Sequence, residues 1–143
     1  MIITGKYPKL RLRRSRQENW SRRLIEESNL SANDLILPIF ITEGKNKKQK
    51  IKNMPNIYRY SLDNLPKIID RAIRLKIPMV ALFPFIEKKL KDNYGSEAIN
   101  ENNLVCRAIK KIKDKYKNKI GIMCDVALDP YTSHGHDGIL QNG

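Results

Sequence analysis

The chain has 143 residues, and 28 Lys and Arg against 15 Asp and Glu give a formal net charge of +13. The length is sufficient for one domain with a hydrophobic core, and no run of ~18 apolar residues predicts a transmembrane helix. A basic chain invites a nucleic-acid-binding interpretation. Residues 45–52 and 110–119 hold the densest lysine runs, and no aromatic side chains that could stack on bases alternate with them. We therefore interpret the charge as solvated surface.

Cysteine usage and the first residues bear on the cellular compartment. Cys106 and Cys124 are far apart and form no CxxC motif, which favours packing thiols in a reducing environment. Residues 1–14 lack the apolar segment of a secretory signal. The sequence therefore predicts a cytoplasmic protein.

Residues 1–33 are predicted to form an N-terminal arm. Residues 1–16 are basic and show no apolar period, whereas residues 17–28 indicate a short helix with Trp20, Leu24 and Ile25 on one face. An arm of this kind is expected to dock on another surface. The alternative is a disordered basic tail.

Residues 34–143 alternate between apolar runs and amphipathic segments. The apolar runs predict buried strands at 35–41, 77–85 and 119–128. Apolar residues at helical spacing predict helices at about 65–75 and 103–117, with polar loops at 42–56 and 87–103. Pro66 is tolerated only in the first helical turn, so Asp63 or Asn64 is the predicted cap. This order favours an α/β fold with right-handed βαβ units and a parallel sheet.

The most informative stretch is 119–138, KIGIMCDVALDPYTSHGHDG. Strand alternation would place Asp125, Ala127 and Asp129 on one face, and Pro130 would begin a loop at the end of the strand. His134, His136 and Asp137 follow closely. Carboxylates at the end of a buried strand are costly unless they are paired, hydrogen-bonded or metal-bound. Their crowding therefore predicts a functional site rather than a solvated strand end.

The segment DVALDPYTSHGHDG at 125–138 resembles a motif of the porphobilinogen synthase (aminolevulinate dehydratase) family. Further stretches at 11–44, 53–65, 80–86 and 95–109 also resemble that family. The resemblance implies an N-terminal arm followed by the first three βα units of a (β/α)8 TIM barrel. It also implies that the arm embraces a neighbouring subunit in a homo-octamer. Because a complete barrel needs eight units and about 250 residues, we expect an incomplete barrel in a truncated chain.

Members of this family condense two molecules of 5-aminolevulinate to porphobilinogen, with loss of two waters, in haem biosynthesis. The resemblance implies a catalytic role for Asp125 and substrate-binding roles for Phe83 and Ser133. For Phe83 the alternative is an ordinary aromatic residue of the core. It places both Schiff-base lysines of the family beyond residue 143, so we expect no dehydratase activity from this chain alone. A non-catalytic truncated remnant and a basic nucleic-acid-binding protein are the alternatives.

The metal expected at this site also follows from the resemblance. Many members carry three zinc-binding cysteines at the positions of Ala127, Asp129 and Asp137, and this sequence has none there. It therefore resembles the aspartate-bearing, magnesium-type branch, with Asp129 and Asp137 as the predicted metal ligands. Mg²⁺ is expected in the full-length enzyme and zinc is not. Binding of substrate amines by these two carboxylates is the alternative, and the two histidines are either ligands or backbone-bonded loop residues.

Overall fold

The computed structural model describes residues 4–139 and divides the chain into two compact units, Met1–Ser31 and Ala32–Gly143. The first unit contains a 3₁₀ helix, Arg14–Arg16, and the helix α1, Asn19–Leu24. The helix predicted over 17–28 is therefore too long. Glu18 at its N-cap makes no side-chain capping bond, and Trp20 and Leu24 stay 68% and 78% exposed. Without a capping bond or a buried apolar face, a helix has too little stabilisation to extend beyond two turns.

The second unit is built on a five-stranded sheet with the spatial order β2-β3-β1-β4-β5. Its strands are β1 (Ile36–Thr42), β2 (Lys48–Lys50), β3 (Tyr58–Ser61), β4 (Met79–Pro84) and β5 (Gly121–Cys124). All neighbouring pairs are parallel except β2 with β3. The α/β class and the mostly parallel sheet are thereby confirmed.

Two strand predictions are wrong in detail. The polar stretch 42–56, predicted as a loop, contains β2, and β3 follows it, so the sheet has five described strands rather than three. The strand predicted over 119–128 ends at Cys124. The neighbouring strand β4 ends at Pro84, which has no amide hydrogen to continue the hydrogen bonds between β4 and β5. The next amide of that chain segment, Phe85 N, donates to Ile41 O of β1 at 2.8 Å. Residues 125–128 therefore lack the strand alternation predicted for them.

Helices α2 (Leu65–Arg74) and α3 (Leu104–Tyr116) cover one face of the sheet. The N-cap of α2 is Asn64, as Pro66 indicated, although no side chain bonds to its first turn. In α3 the cap is complete, because Asn103 Oδ1 accepts the Cys106 amide hydrogen at 2.9 Å. The buried cluster lies between the helices and the strands, and its members are Ile39, Ile41, Leu65, Ile69, Ala72, Val80, Leu82, Leu104, Val105, Ala108, Ile112, Tyr116 and Ile120.

The opposite face of the sheet is also apolar. Since side chains alternate along a strand, it carries Phe40 on β1 and Ala81 and Phe83 on β4, next to Met123 on β5. Phe40 and Phe83 are paired in register, and their ring centroids lie 5.6 Å apart. None of these four residues belongs to the buried cluster.

A tyrosine joins the two helices. The Tyr116 hydroxyl donates its hydrogen to Asp70 Oδ1 at 2.8 Å and also lies 3.0 Å from Pro66 O. Burial, followed by the hydrogen bond to Asp70, raises the pKa of Tyr116 to about 12. The neutral phenol is therefore the form that the folded chain favours.

Replacing Tyr116 by phenylalanine is expected to lower the free energy of unfolding by about 1 kcal/mol, because the interhelical hydrogen bond is lost. Since folding raises the pKa from 10.0 to about 12, the contribution of the phenol is complete below pH 10 and is lost as the pH rises through that window. Urea unfolding near pH 8 and pH 11 measures both effects. Tyr94→Phe is the matched control, since Tyr94 is 77% exposed. Equal losses in the two variants would contradict the assignment.

Candidate active site

Two loops meet at the carboxyl edge of the parallel strands. The β4 loop, residues 85–103, follows β4, and the β5 loop, residues 125–138, follows β5. Parallel strands end at one edge of the sheet, and in α/β folds this edge is where ligands bind. Phe83 and Asp125 each lie one residue beyond the last registered pair of these strands, Leu82 with Cys124. The structure therefore brings both predicted site residues to the same edge.

Asp137 closes the β5 loop. Its Oδ1 atom accepts hydrogen bonds from the amides of Leu128 at 2.8 Å and Asp129 at 2.9 Å. Farther round the loop, Thr132 Oγ1 donates to His136 O at 3.0 Å. One carboxylate therefore ties the end of the loop to its beginning. The family resemblance implied a ligand role for Asp137, and the local sequence pattern contained no signal for this structural role.

The His134 ring is held by contacts with backbone atoms. His134 Nδ1 accepts the His136 amide hydrogen at 3.3 Å, and His134 Nε2 lies 3.1 Å from the carbonyl oxygen of Asn93. Because a carbonyl oxygen only accepts, Nε2 carries the hydrogen and Nδ1 is bare. The two rings stack with centroids 6.0 Å apart. His134 thus uses both ring nitrogens within the protein, as the backbone-bonded alternative predicted.

A metal site is incomplete in this part of the chain. Within residues 4–139, no three His, Cys, Asp or Glu side chains come together as a group that could hold a metal ion. Asp129 is exposed, and one oxygen of Asp137 is occupied by two amides. The residues present do not fit a preformed metal cage. The roles of Asp129 and Asp137 as ligands stay a prediction.

The β4 loop contains a tight turn that begins at Asp92. Asp92 Oδ1 accepts the amide hydrogens of Tyr94 at 2.8 Å and Ser96 at 3.1 Å. Hydrogen bonds from the Ser96 side chain and from these amides hold the pKa of the Asp92 carboxyl below its ordinary value. Gly95 closes the turn at φ 66°, in the left-handed region that favours glycine.

This turn packs directly on the β5 loop. A Cβ built on Gly95 would lie 3.5 Å from side-chain atoms of Leu128 and Thr132. Asp92 and Thr132 form a parallel bridge, and Asp92 O accepts the Ser133 amide hydrogen at 2.8 Å. The sequence predicted only a polar loop at 87–103 and did not indicate these contacts. The spacing of Asp92, Gly95 and Ser96 was the available signal for a turn, although not for what the turn touches.

The predicted site residues differ in their surroundings. Asp125 and Asp129 are exposed, and Phe83 is half-buried against Phe40. Ser133 is exposed, and its hydroxyl donates to Asn93 Oδ1 at 2.6 Å. Polar groups and an aromatic wall thus share one edge of the sheet, an arrangement suited to a small polar substrate.

Charged contacts support this edge from β1, β3 and the β4 loop. Glu43, which follows β1, forms an ion pair with Arg107 near the start of α3. Arg59 on β3 lies with its guanidinium carbon 4.1 Å from the ring centroid of Phe85. Lys89 pairs with Glu87 at 2.8 Å, and this hydrogen bond and charge raise the pKa of Lys89. A raised pKa keeps that amine protonated and therefore a poor nucleophile.

No helix within residues 4–139 has the length and apolar character needed to cross a membrane.

Comparisons with known proteins agree along nearly the whole chain. The family model described as delta-aminolevulinic acid dehydratase matches residues 9–143. The delta-aminolevulinic acid dehydratase of Bradyrhizobium diazoefficiens is 48% identical over 134 residues, which are 94% of this chain and 38% of that protein. The Chlamydia pneumoniae protein of the same name is 44% identical over 133 residues, covering 93% of this chain and 40% of that protein.

A solved structure is similar as well. The delta-aminolevulinic acid dehydratase (porphobilinogen synthase) of Toxoplasma gondii, in complex with its reaction product porphobilinogen, superposes with a TM-score of 0.85 at 33% identity. The match covers 93% of this chain and 37% of that one. The chain thus spans about two fifths of the length of these relatives. The family model and these likenesses show that the chain belongs to the delta-aminolevulinic acid dehydratase family.

Proposed function

We propose that this chain supplies the N-terminal part of a porphobilinogen synthase. The complete enzyme would condense two molecules of 5-aminolevulinate to porphobilinogen with loss of two waters. The observation that supports the proposal is that Phe83 and Asp125 both follow the last registered pair of β4 and β5, at the carboxyl edge of a parallel sheet. Family membership supports it.

The proposed architecture is the beginning of a (β/α)8 barrel. In such barrels the helices cover the outer face of the strands, and apolar side chains fill the interior in layers. The sheet has this asymmetry, since α2 and α3 cover one face and Phe40, Ala81 and Phe83 lie on the other. The second face therefore suits the interior of a barrel whose remaining strands would come from a longer protein.

Within this site, we assign Asp125 to proton transfer. Its carboxylate is exposed at the end of β5, where it could take a proton from a substrate amine or orient that amine for attack. Phe83 would form the apolar wall with Phe40, and Ser133 would bind a polar group of the substrate. Lys89, one of three lysines in the β4 loop, is paired with Glu87. Because the family resemblance puts the Schiff-base lysines beyond residue 143, we propose that they lie outside this chain.

Magnesium, rather than zinc, is the metal that we propose for the complete enzyme. Asp129 and Asp137 offer hard oxygen donors, which suit Mg²⁺, and none of the cysteines that bind zinc in many family members stands at these positions. When bound, the ion would neutralise negative charge near the substrate. Because the donors present are incomplete, no step of the reaction is assigned to it.

For the arm, we propose docking on a neighbouring subunit of a homo-octamer. Its helix α1 leaves Trp20 and Leu24 largely exposed, and large apolar side chains exposed together favour an interface. This proposal concerns the complete enzyme.

The test uses the chain alone and a hybrid enzyme. The purified 143-residue chain, incubated with 5-aminolevulinate, is expected to form no porphobilinogen, measured by its colour with Ehrlich's reagent, because it has no Schiff-base lysine. The hybrid enzyme carries residues 1–143 in place of the matching segment of the Bradyrhizobium diazoefficiens relative, and it is expected to form porphobilinogen. The unaltered relative is the control.

Two results would contradict the proposal. Product from the chain alone would show that a nucleophile lies within these residues. A hybrid enzyme that folds and assembles like the unaltered relative, yet forms no porphobilinogen, would identify this chain as a non-catalytic remnant.

A further inference from the structure

Asn93 joins the β4 loop to the residue of the β5 loop that is predicted to bind substrate. Its side-chain oxygen Oδ1 accepts the Ser133 hydroxyl hydrogen at 2.6 Å. Its main-chain oxygen lies 3.1 Å from His134 Nε2. The preceding residue, Asp92, accepts the Ser133 amide hydrogen at 2.8 Å. Three contacts therefore connect two adjacent residues of one loop with two adjacent residues of the other.

The turn that carries Asp92 and Asn93 is itself held in place by hydrogen bonds and packing. The Asp92 carboxylate holds the turn through Tyr94 and Ser96, and Gly95 lets the turn lie against the β5 loop. Asn93, although exposed, is thus presented from a hydrogen-bonded turn. Its Oδ1 has a defined position relative to Ser133.

The direction of the hydrogen bond decides what Ser133 offers to a ligand. A serine hydroxyl has one hydrogen and two acceptor lone pairs, and its hydrogen rotates to suit the partner. With that hydrogen given to Asn93 Oδ1, the free lone pairs of Ser133 Oγ accept hydrogens. They then favour a ligand that donates, such as an alkylammonium group, over one that only accepts.

We propose that Asn93 is a positioning residue that fixes the Ser133 hydroxyl as a hydrogen-bond acceptor for the ammonium group of the substrate. The identity of the substrate in this inference rests on the proposed function. The geometry rests only on the contacts between the β4 loop and the β5 loop. Asn93 does not touch the substrate and acts through Ser133.

Two substitutions separate positioning from loop stability. Asn93→Ala removes the side-chain acceptor and keeps the main-chain oxygen that faces His134, whereas Asn93→Asp keeps an oxygen acceptor. In the hybrid enzyme, Asn93→Ala is expected to raise the KM for 5-aminolevulinate about fivefold with kcat within about twofold, the size of one neutral hydrogen bond. Asn93→Asp is expected to retain the parental KM. Tyr94→Ala is the control, because that side chain is 77% exposed on the same turn.

A second measurement needs no substrate. In the 143-residue chain, three-bond NMR couplings report the χ1 angle of Ser133. One rotamer is expected in the parental chain and in Asn93→Asp, and rotamer averaging in Asn93→Ala. A fixed Ser133 rotamer in Asn93→Ala, or an unchanged KM in that variant of an active hybrid enzyme, would overturn the inference. A hybrid enzyme that folds and assembles like the unaltered relative but forms no porphobilinogen contradicts the proposed function, and the rotamer measurement then decides the role of Asn93.

Discussion

Replacing Asp125 by asparagine in the hybrid enzyme is expected to lower kcat for porphobilinogen formation by about 10²–10⁴-fold, the usual contribution of a positioned proton-transfer group. Asparagine keeps the size of the side chain but cannot take up a proton. Because Asp125 is exposed just after β5 and lies outside the buried cluster, folding is expected to be unaffected. Steady-state kinetics with 5-aminolevulinate measures the effect.

Asp114→Asn is the matched control for this prediction. Asp114 is an exposed aspartate on α3, and the same change of charge there is expected to leave kcat unaltered. If Asp125→Asn retained more than about a tenth of the parental kcat, Asp125 would not carry the proton transfer. The β5 loop would then serve substrate binding alone.

The largest expected loss of stability follows from Ile69→Ala. Ile69 lies on α2 with 0% of its surface exposed, within the buried cluster between the helices and the sheet. Truncating such a side chain removes apolar burial and leaves a cavity, at a cost of about 2–5 kcal/mol. Because small domains are stable by only about 5–15 kcal/mol, this change is expected to remove much of the stability of the second unit.

Urea unfolding followed by circular dichroism measures that loss. Ile68→Ala is the control, since it removes the same atoms from the adjacent, partly buried residue of the same helix. The expected result is a clearly lower urea midpoint for Ile69→Ala than for Ile68→Ala. Equal midpoints would contradict the packing described for α2.

The sequence predicted most accurately the strands and helices whose buried side chains impose a regular apolar pattern. Continuous apolar runs identified β1 and β4, and helical spacing identified α2 and α3 to within about one residue at each end. These elements form the buried cluster, where each position has one acceptable kind of side chain. Pro66 located the start of α2 for a separate reason, its missing amide hydrogen.

The elements that were missed have little burial to reveal them. All three residues of β2 are exposed, and β3 pairs with β1 through only its last three residues, from Arg59 to Ser61. β5 was predicted too long because apolar residues continue to Leu128, although Val126 is fully exposed. The end of that strand depends on Pro84 in a neighbouring strand, which local sequence pattern does not include.

In the candidate site, too, local sequence predicted some features and not others. Crowded polar residues in 125–138 indicated a site, and the structure brings Asp125, Phe83 and Ser133 to one edge of the sheet. The contacts of Asp92 and Asn93 with Ser133 and His134 join residues about forty positions apart. Such pairs require knowledge of which loops meet, and the periodicity of one strand or helix does not contain it.

The two borders of the sheet have opposite consequences for self-association. An unpaired strand offers free amides and carbonyls to any other chain, and charged side chains there discourage such pairing. At one border, β2 presents Lys48 and Lys50, both exposed. At the other border of the described sheet, β5 presents Gly121–Cys124, which carries no charge. Unwanted strand addition, and with it aggregation of the isolated chain, is therefore expected to begin at β5 and not at β2.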